Sequence, residues 1–509
     1  METEIELKFA VASSEEDEGE PILEQLQKLL TPILQNQGYS HKRLTNTYFD
    51  TAQQSLRALD AGLRVRTVDG ESEQTLKTAG SSVGGLHKRP EYNIPTTANV
   101  PDLSLFPAEA WPDHVSIQDL QDALTPLFTT DFTRHKWRVL SQESLIEVVY
   151  DSGAVSAQEN HTPIHEIEIE LVDGDMRELF SLADILVDKL PLRLSNDSKA
   201  ARGYRLFLNQ PMQDKKSLGT VNLSADLDVE TAFARAIEHG LAHWQHHEEI
   251  YCREGHIRSL KQLLRGIWLV RHTLWLFRDY VPKKASSEIR KELKWLNNEF
   301  EWLDGALHIK QLTSKKGNYR KRIGEDERLL NYLEQTFAST LKENATVPLF
   351  YSQRYNRVIL KLMRWLTERG WRCYSEIDEN LLSENIYSVA TKLNQQSWVR
   401  IQKKMPSKEQ FGMQDYIDVE RSIGRGLLTG VCVGSLYNES DRMDFRSPWL
   451  DIMEGISDLK TLNLFLQCLD SYTEDNQQEL QQWAENKITN LVKVMEQSRQ
   501  SALKMVPYW

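Results

Sequence analysis

Charged and apolar residues alternate strictly in three separate stretches near the N-terminal end, and this pattern constrains the fold most strongly. The stretches are residues 4–9 (EIELKF), 63–66 (LRVR) and 166–171 (EIEIEL). Because successive side chains of a strand point to opposite faces, each stretch predicts a strand with one charged and one apolar face. Turn-forming Asp-Gly pairs follow such segments, so we expect mostly antiparallel strands, with helices at about 20–36 and 175–190.

The pattern changes near residue 215. Eleven of the 16 prolines lie at or before Pro211, whereas eleven of the 13 tryptophans lie after it. Apolar residues then recur at three- and four-residue spacing, which predicts helices. The segments concerned are 232–252, 257–280, 286–306, 325–341, 355–368, 419–433 and 462–495. The sequence therefore predicts an α+β multidomain protein: a β domain at residues 1–208, a linker at 209–217, and an all-α bundle of roughly eight helices at 218–509.

Composition excludes several classes of protein. The chain has 61 basic and 74 acidic side chains, a net charge of −13, which speaks against a general nucleic-acid binder. No run of about 18 apolar residues predicts a membrane span, and the acidic N-terminus does not resemble a signal peptide. The four cysteines form no CxxC pair, which argues against a thiolate zinc site and a disulfide scaffold. We therefore expect a cytoplasmic protein without nucleic-acid or membrane partners.

The charged strand faces suggest a chemistry. Carboxylates that lie side by side repel one another, and a divalent ion such as Mg²⁺ or Mn²⁺ is the usual compensator for an all-oxygen set. Clustered arginines and lysines favour phosphate, which matches the guanidinium fork. If the faces converge, they would bind a metal and a polyphosphate. An ordinary solvated strand face is the alternative reading of each stretch taken alone.

The ordered series of these motifs resembles the CYTH superfamily, the triphosphate tunnel metalloenzymes. The opening E-x-E-x-K of residues 4–8 matches the family signature, and the resemblance runs to about residue 208. The further matching segments are Tyr48-Phe49-Asp50-Thr51, Leu63-Arg64-Val65-Arg66, Thr75-Leu76-Lys77, Arg89-Pro90-Glu91, Arg134, Glu147, Glu168-Ile169-Glu170-Leu171 and Ser198-Lys199-Ala200-Ala201-Arg202-Gly203-Tyr204.

This resemblance implies an eight-stranded antiparallel β-tunnel whose charged faces point inward while the apolar faces pack outward under helices. It implies a set of metal ligands: Glu4, Glu6, Glu168 and Glu170, with Glu147 nearby. It implies a set of phosphate-binding residues: Lys8, Arg64, Arg66, Lys77, Arg134, Lys199 and Arg202. The second-tier candidates are Arg57, Arg89, Glu91 and Lys136, because Arg–Glu pairs inside a barrel could equally be structural ion pairs.

Some roles inside this site stay open. The catalytic set implied by the resemblance is Glu4, Glu6, Lys8, Glu168 and Glu170. Either a carboxylate or Lys8 could accept the proton of the attacking water, so the general base is unassigned. Glu166 extends the acidic alternation but lies beyond the pair that the motif matches best. His87 could touch the substrate, but we expect it to be an exposed loop residue.

The helical half resembles CHAD domains, which are helical bundles that bind inorganic polyphosphate. The resemblance rests on Ser352-Gln353-Arg354-Tyr355 at a helix start and on residues 269–277. Aligned on Arg271, the basic stripe typical of these domains has Lys261, Leu264 and Trp268 at its other positions. A polyphosphate or protein partner at this half is therefore possible.

These observations favour a metal-dependent hydrolase that cleaves the terminal phosphoanhydride of inorganic triphosphate. Thiamine triphosphate or a nucleoside triphosphate is the alternative substrate. The alternative of a different class is a polyphosphate-binding scaffold without catalysis. The acidic E-x-E pairs favour an enzyme over a scaffold, because carboxylates beside a bound polyanion would repel it.

Overall fold

The structure is a computed structural model that describes residues 2–12, 20–212, 216–317, 319–470 and 477–509. The chain divides into two compact units. The first contains the described residues up to 212 together with Val347–Glu368, and the second contains the rest. The segment 347–368, which the sequence places in the helical domain, thus packs with the β domain.

Ten strands of the first unit form one antiparallel sheet. They are β1 (Glu2–Val11), β2 (Leu34–Asp50), β3 (Gly62–Val68), β4 (Glu71–Lys77), β5 (Ser81–Val83), β6 (Leu86–Thr96), β7 (Thr125–Ser141), β8 (Ser144–Ala157), β9 (Asn160–Asp173) and β10 (Leu192–Leu194). Eight of them close a barrel in the order β1-β9-β8-β7-β2-β3-β4-β6, because β6 pairs again with β1. The predicted eight-stranded antiparallel tunnel is confirmed, and β5 and β10 are additions to it.

The barrel has its charged strand faces inside, as the sequence predicts. On β9, Glu166 and Glu168 face the interior and form ion pairs there, whereas Ile167 and Ile169 are fully buried on the outer face. Helix α4 packs against β9, which explains why those outward residues are apolar. Helices of this part are α1 (Glu20–Leu30), α2 (Ser55–Ala58), α3 (Ile117–Asp122), α4 (Met176–Lys189) and α5 (Lys199–Phe207).

The rest of the chain is helical. Its helices are α6 (Val229–Glu254), α7 (Ile257–Leu276), α8 (Ser287–Glu299), α9 (Trp302–Thr313), α10 (Arg320–Ile323), α11 (Glu327–Glu343), α12 (Val347–Phe350), α13 (Gln353–Thr367), α14 (Glu379–Leu382), α15 (Ile386–Lys404), α16 (Met413–Val433), α17 (Glu439–Asp470) and α18 (Gln477–Lys504). Short 3₁₀ turns lie at Thr31–Ile33, Leu103–Leu105, Ala108–Ala110, Lys283–Ser286, Gly370–Cys373 and Gly434–Leu436. None of the helices in the described ranges has the length and apolar character that a membrane crossing requires.

The helix pattern differs from the sequence prediction in three places. The segment 462–495, expected as one helix, spans the end of α17 and most of α18. The segment 286–306, expected as one helix, contains two, because α8 ends at Glu299 and α9 begins at Trp302. Helix α15 was missed, since its apolar positions are interrupted by asparagine and glutamine. The described part of the helical half therefore contains ten helices of 12 residues or more, whereas roughly eight helices were expected.

Helix α13 contacts α4 and the edge strand β10 within the first unit. Asn356 is fully buried at this contact. Its Oδ1 accepts a hydrogen bond from Leu194 N at 3.0 Å, and its Nδ2 donates to Leu192 O at 2.8 Å. One amide side chain therefore pairs with backbone groups on the edge of β10, which no other strand of the described residues covers.

We expect Asn356→Ala to lower the free energy of unfolding of the full chain by about 2–4 kcal/mol, because it leaves buried backbone groups of β10 without partners. Chemical denaturation followed by circular dichroism measures this loss. The matched control is Asn380→Ala at an exposed position of α14, which should change stability by less than about 0.5 kcal/mol. Equal effects of the two changes would contradict a special role of Asn356.

Candidate active site

Three carboxylates form a row across neighbouring strands inside the barrel. Glu6 on β1 is the register partner of Glu170 on β9, and Glu170 is the register partner of Glu147 on β8. Directly paired residues of antiparallel strands have Cβ atoms about 4.5–5.5 Å apart on the same face. Glu4 lies two residues before Glu6 on the same face of β1. We call Glu4, Glu6, Glu147 and Glu170 the carboxylate row.

The carboxylates of this row repel one another. Burial, together with the nearby charges of Glu4 and Glu147, raises the pKa of Glu170 to about 8. Burial likewise raises the pKa of Glu4, although Lys77, whose Nζ donates to Glu4 Oε1 at 2.7 Å, acts against the shift. Glu6 and Glu170 form no ion pair with any described residue. An oxygen-only set with surplus negative charge fits a hard divalent cation such as Mg²⁺ or Mn²⁺.

This repulsion predicts a pH dependence of stability in the presence of EDTA. A carboxyl group whose pKa is raised in the folded state binds its proton more tightly there than in the unfolded chain. The stabilisation is therefore complete below about pH 4.5 and is lost as the pH rises toward 8. We expect the free energy of unfolding to fall by about 1–3 kcal/mol across this window. Denaturant titrations at several pH values measure it.

Glu170→Gln should flatten this pH dependence, because the amide does not titrate. The exposed carboxylate of Asp173, on the same strand, provides the control Asp173→Asn, which should keep the slope of the unmodified protein. An unchanged slope in Glu170→Gln would contradict the repulsion.

A second group of charges lies beyond the carboxylate row and is balanced by ion pairs. Carboxylate oxygens of Asp151, Glu166 and Glu168 lie within 4.8 Å of one another. Cations surround them: Arg134 contacts Asp151 at 2.7 Å and Glu168 at 3.1 Å, while Lys199 contacts Asp151 at 2.7 Å. We call this set, which also includes Lys8 and Arg202, the ion-pair cluster; its members are Lys8, Arg134, Asp151, Glu166, Glu168, Lys199 and Arg202.

The ion-pair cluster assigns Glu166, which the sequence left ambiguous. Glu166 is 3% exposed and pairs with Lys199 and Arg202, so it neutralises cations at the α5 end of the barrel. Glu168 is shared by three cations, with Lys8 Nζ the closest at 2.7 Å. The role of Glu168 as a metal ligand stays a prediction.

Lys8 is held as a cation. Burial alone would lower the pKa of Lys8, but the charges of Glu166 and Glu168 together raise it above its ordinary value. A lysine in this state is a hydrogen-bond donor and a positive charge. It is a poor acceptor for the proton of a water molecule.

Arg66 differs from the other inward cations. Its Nε donates to Asn46 Oδ1 at 2.8 Å, and it forms no ion pair within the part of the chain that the structure describes. Glu73 is its register partner on β4, yet the two side chains do not pair. Burial, together with the charges of Arg64 and Arg134, lowers the pKa of Arg66 to about 9. Arg66 therefore lacks an anion.

Arg64 and Lys77 share one carboxylate. Arg64 lies 3.5 Å and Lys77 lies 3.2 Å from Glu91 on β6. Burial opposes ionisation of Tyr48, but the neighbouring Arg64 lowers the pKa of this phenol. Together with Arg66 these groups make one side of the barrel interior positive beside the carboxylate row.

The second-tier candidates lie in different places. Lys136 Nζ contacts Glu147 at 2.8 Å, and Arg89 contacts Asp60 at 3.2 Å while pairing in register with Glu4. Arg57 is exposed, donates to Gln54 Oε1 at 2.8 Å and stacks over the ring of Tyr204. The structure brings Lys136 and Arg89 beside the carboxylate row, whereas Arg57 contacts none of the row's members.

The prediction that His87 is an exposed loop residue is wrong. His87 lies on β6 and is the register partner of Glu6, because the hairpin turn is at Gly84-Gly85 and strand β6 begins at Leu86. Burial lowers the pKa of His87 to about 4. The imidazole is therefore neutral beside the carboxylate row.

Sequence reasoning missed Asp151 and Asn46. Asp151 is fully buried, four residues after Glu147 on β8, and binds both Arg134 and Lys199. Its even spacing from Glu147 was the available signal. Asn46, also fully buried, is bound between Thr130 and Arg66, and no charge pattern marks it.

Comparisons with known proteins agree with this architecture. The family profile of the CYTH domain matches residues 2–204, and that of the CHAD domain matches residues 235–422. An inorganic triphosphatase of Haemophilus influenzae is 39% identical over 219 residues. The match covers 42% of this chain and 58% of that protein, so the chain spans less than two thirds of this relative's length.

Two solved structures are also similar. HpAC1 from Hippeastrum, whose structure is described as revealing a dominant triphosphatase activity, is 20% identical, with 41% of this chain and 96% of that chain covered and a TM-score of 0.31. The CHAD domain from Ricinus communis is 16% identical, with 58% and 97% covered and a TM-score of 0.45. From the two family matches, this chain carries an N-terminal CYTH domain followed by a CHAD domain.

Proposed function

We propose that this chain hydrolyses the terminal phosphoanhydride of inorganic triphosphate in the barrel, with Mg²⁺ or Mn²⁺ as cofactor. The observation that carries the proposal is the carboxylate row beside Arg66, a cation without an anionic partner among the described residues. A surplus of carboxylates and a surplus cation in one interior suit a metal and a phosphate chain together. The similarity to the Haemophilus influenzae inorganic triphosphatase supports this choice of substrate.

The phosphate chain would lie along the positive side of the barrel. Arg66 is available without breaking any ion pair, Arg64 lies 3.5 Å from Glu91, and Lys77 lies between the carboxylates of Glu91 and Glu4. Arg134 and Lys199, by contrast, already form ion pairs with the carboxylate of Asp151. We therefore expect Arg66, Arg64 and Lys77 to contribute more to substrate affinity than Arg134, Lys199 or Arg202.

The carboxylate row would hold the divalent ion, chiefly through Glu4, Glu6 and Glu170. When bound, such an ion neutralises phosphate charge and acidifies a coordinated water. Lys8 remains protonated between Glu168 and the interior, so it stabilises negative charge on the reacting phosphate rather than accepting a proton. Glu166 and Glu168 fix the position of the Lys8 ammonium group.

The test is release of orthophosphate by the full chain from triphosphate, pyrophosphate, longer polyphosphate, ATP and thiamine triphosphate. Each substrate is assayed with Mg²⁺, with Mn²⁺ and with EDTA. We expect triphosphate to be preferred and EDTA to abolish the release. If ATP or thiamine triphosphate is hydrolysed faster, the proposed substrate is wrong. Absence of metal-dependent phosphate release from all five compounds would refute the enzymatic function.

A second binding function is supported by an arginine cluster in the helical half. Arg278, Arg400 and Arg425 each place a guanidinium over the ring of Trp275, at 4.8, 4.4 and 4.7 Å from its centroid. Burial lowers the pKa of Arg425, and the nearby Arg421 lowers it further. With Arg271 included, five arginines gather here. Among the described residues, the only carboxylate in contact with them is that of Asp279, 3.8 Å from Arg278.

We infer that this cluster binds inorganic polyphosphate. The full chain carrying Arg400→Met and Arg425→Met should lose at least about tenfold in polyphosphate affinity, because each change removes a charge-assisted contact. Retention of chains of about 100 phosphates is measured in EDTA, which prevents hydrolysis. The control is Arg328→Met, an exposed position of α11. Unchanged affinity in the double variant would refute the site.

A further inference from the structure

The second unit contains a cleft between α15, α16, α17 and the last residues of the chain. Its cavity volume is about 40 Å³, and the cleft opens to solvent. Its lining combines aromatic side chains with two arginines, and it contains no carboxylate among the residues that the structure describes there. The cleft uses none of the residues of the barrel site or of the arginine cluster around Trp275.

One wall of the cleft is positively charged. Arg442 is 7% exposed, and its Nε has no hydrogen-bond partner. The nearest carboxylate to Arg442 is that of Glu439, 3.7 Å from Nη2 and 85% exposed, so it is largely solvated. Arg446, one helical turn further along α17, also has a buried Nε without a partner and forms no ion pair with the described residues. Two neighbouring guanidiniums therefore face a common space without an anion.

The electrostatics of this wall agree with its geometry. Burial lowers the pKa of Arg446, and the charge of Arg442 lowers it further. The phenol of Tyr508 is close to both arginines, yet burial raises its pKa to about 12, so it stays a neutral donor. Two buried cations of like charge are stabilised when an anion lies between them.

The rest of the lining includes an aromatic wall, formed by Phe445 and Trp449 of α17 together with Trp398 and Trp509. The ring of Trp398 lies 5.3 Å from that of Phe445 and 5.5 Å from that of Trp449, and Trp509 lies 5.1 Å from Phe445 between ring centroids. Trp449 Nε1 is a further buried donor without a partner. Such walls take up a flat apolar group and exclude water from it.

Glycine keeps the cleft open. Gly426 and Gly430 lie one turn apart on α16 and line it without side chains. A Cβ at Gly430 would approach the Tyr508 hydroxyl to 3.4 Å, an ordinary close contact that would nevertheless occupy the space. A larger side chain at residue 430 is therefore a means of filling the cleft.

We propose that this cleft binds a small organic anion with a flat aromatic body, whose carboxylate or phosphate lies between Arg442 and Arg446 while its ring lies on the aromatic wall. An inorganic phosphate chain has no apolar group that could pack on the aromatic wall. A neutral aromatic ring has no negative charge that could pair with the two guanidiniums. The lining therefore recognises a molecule that carries both an anionic group and an aromatic ring. This site would make the helical half a sensor of a metabolite distinct from the substrate of the barrel.

Isothermal titration of the full chain in EDTA tests the proposal with four probes. Phenylacetate and phenyl phosphate carry both halves, whereas benzyl alcohol carries only the ring and inorganic phosphate only the anion. We expect saturable binding of at least one aryl anion with a dissociation constant on the order of 0.1–1 mM. The neutral ring should bind at least about tenfold more weakly. The two aryl anions distinguish a carboxylate from a phosphate ligand.

Variants locate the binding. Arg446→Met should lower the affinity for the aryl anion by about tenfold or more. The control Arg258→Met, at an exposed position of α7, should leave this affinity unchanged. Gly430→Val fills the cleft independently of charge and should also abolish binding, which keeps the test valid if Arg446→Met fails to fold. Triphosphate hydrolysis should stay within twofold in both variants. Absence of saturable binding by both aryl anions up to 10 mM, or equal affinity in Gly430→Val, would overturn the proposal.

Discussion

Glu6→Gln should reduce metal-dependent triphosphate hydrolysis by about 100-fold or more while leaving the fold intact. Glu6 lies in the centre of the carboxylate row, opposite Glu170 in register, and forms no ion pair that its loss would break in the described structure. The amide keeps the shape of the side chain but removes one negative charge from the ion-binding set. The metal concentration that gives half-maximal rate should therefore rise as well.

Thermal unfolding in EDTA distinguishes this loss from misfolding. Because Glu6→Gln removes one of several repelling charges, the variant without metal should melt at the same temperature as the unmodified chain or above it. The control is Glu159→Gln in the exposed turn between β8 and β9, which should change neither the rate nor the metal requirement. A rate of Glu6→Gln within a few-fold of the unmodified chain would contradict the metal assignment.

Arg66→Met should have opposite effects on activity and on stability. We expect kcat/KM for triphosphate to fall by about 100-fold, since a charge-assisted contact to phosphate is lost. The same change should raise the free energy of unfolding by about 1–2 kcal/mol, because it removes an inward cation that no described carboxylate neutralises. Asn46 keeps its hydrogen bond to Thr130, which limits the disturbance.

The control for Arg66→Met is Arg43→Met on the outside of β2. Arg43 is 76% exposed and pairs with Asp131 at 2.6 Å, so its removal should lower stability by less than about 1 kcal/mol and leave kcat/KM unchanged. Initial rates over a range of triphosphate concentrations and urea denaturation of the same preparations give both quantities. A destabilised Arg66→Met variant with normal activity would refute the assignment on both counts.

The sequence was sufficient to predict the barrel and most of its charged residues. Alternation in residues 4–9 and 166–171 gives the strand faces, and the motif resemblance determines which face points inward. The pairing of Glu6 with Glu170 and then with Glu147 could not be derived, because register depends on the whole closed sheet rather than on any one strand. The separation of the carboxylate row from the ion-pair cluster therefore required the structure.

Local patterns also failed where a residue acts through the backbone. Asn356 has no charge or spacing that distinguishes it from a surface residue of α13, yet it binds the edge of β10 through both ends of its amide. Arg442 and Arg446 of the cleft likewise show no sequence signal. Their buried Nε atoms have no hydrogen-bond partner among the described residues, and this is a property of three-dimensional packing.

The closing seam of the barrel has a consequence for how the protein is made. Strand β1 is synthesised before its partners, which lie at residues 86–91 and 166–170. At about 5–20 residues per second, the strand bearing Glu4 and Glu6 waits about 10–35 s for β9 to be synthesised. During this time an unpaired strand edge is open to aggregation or to a chaperone. Slow translation or chaperone shortage should therefore harm the yield of this protein more than that of a helical protein of equal length.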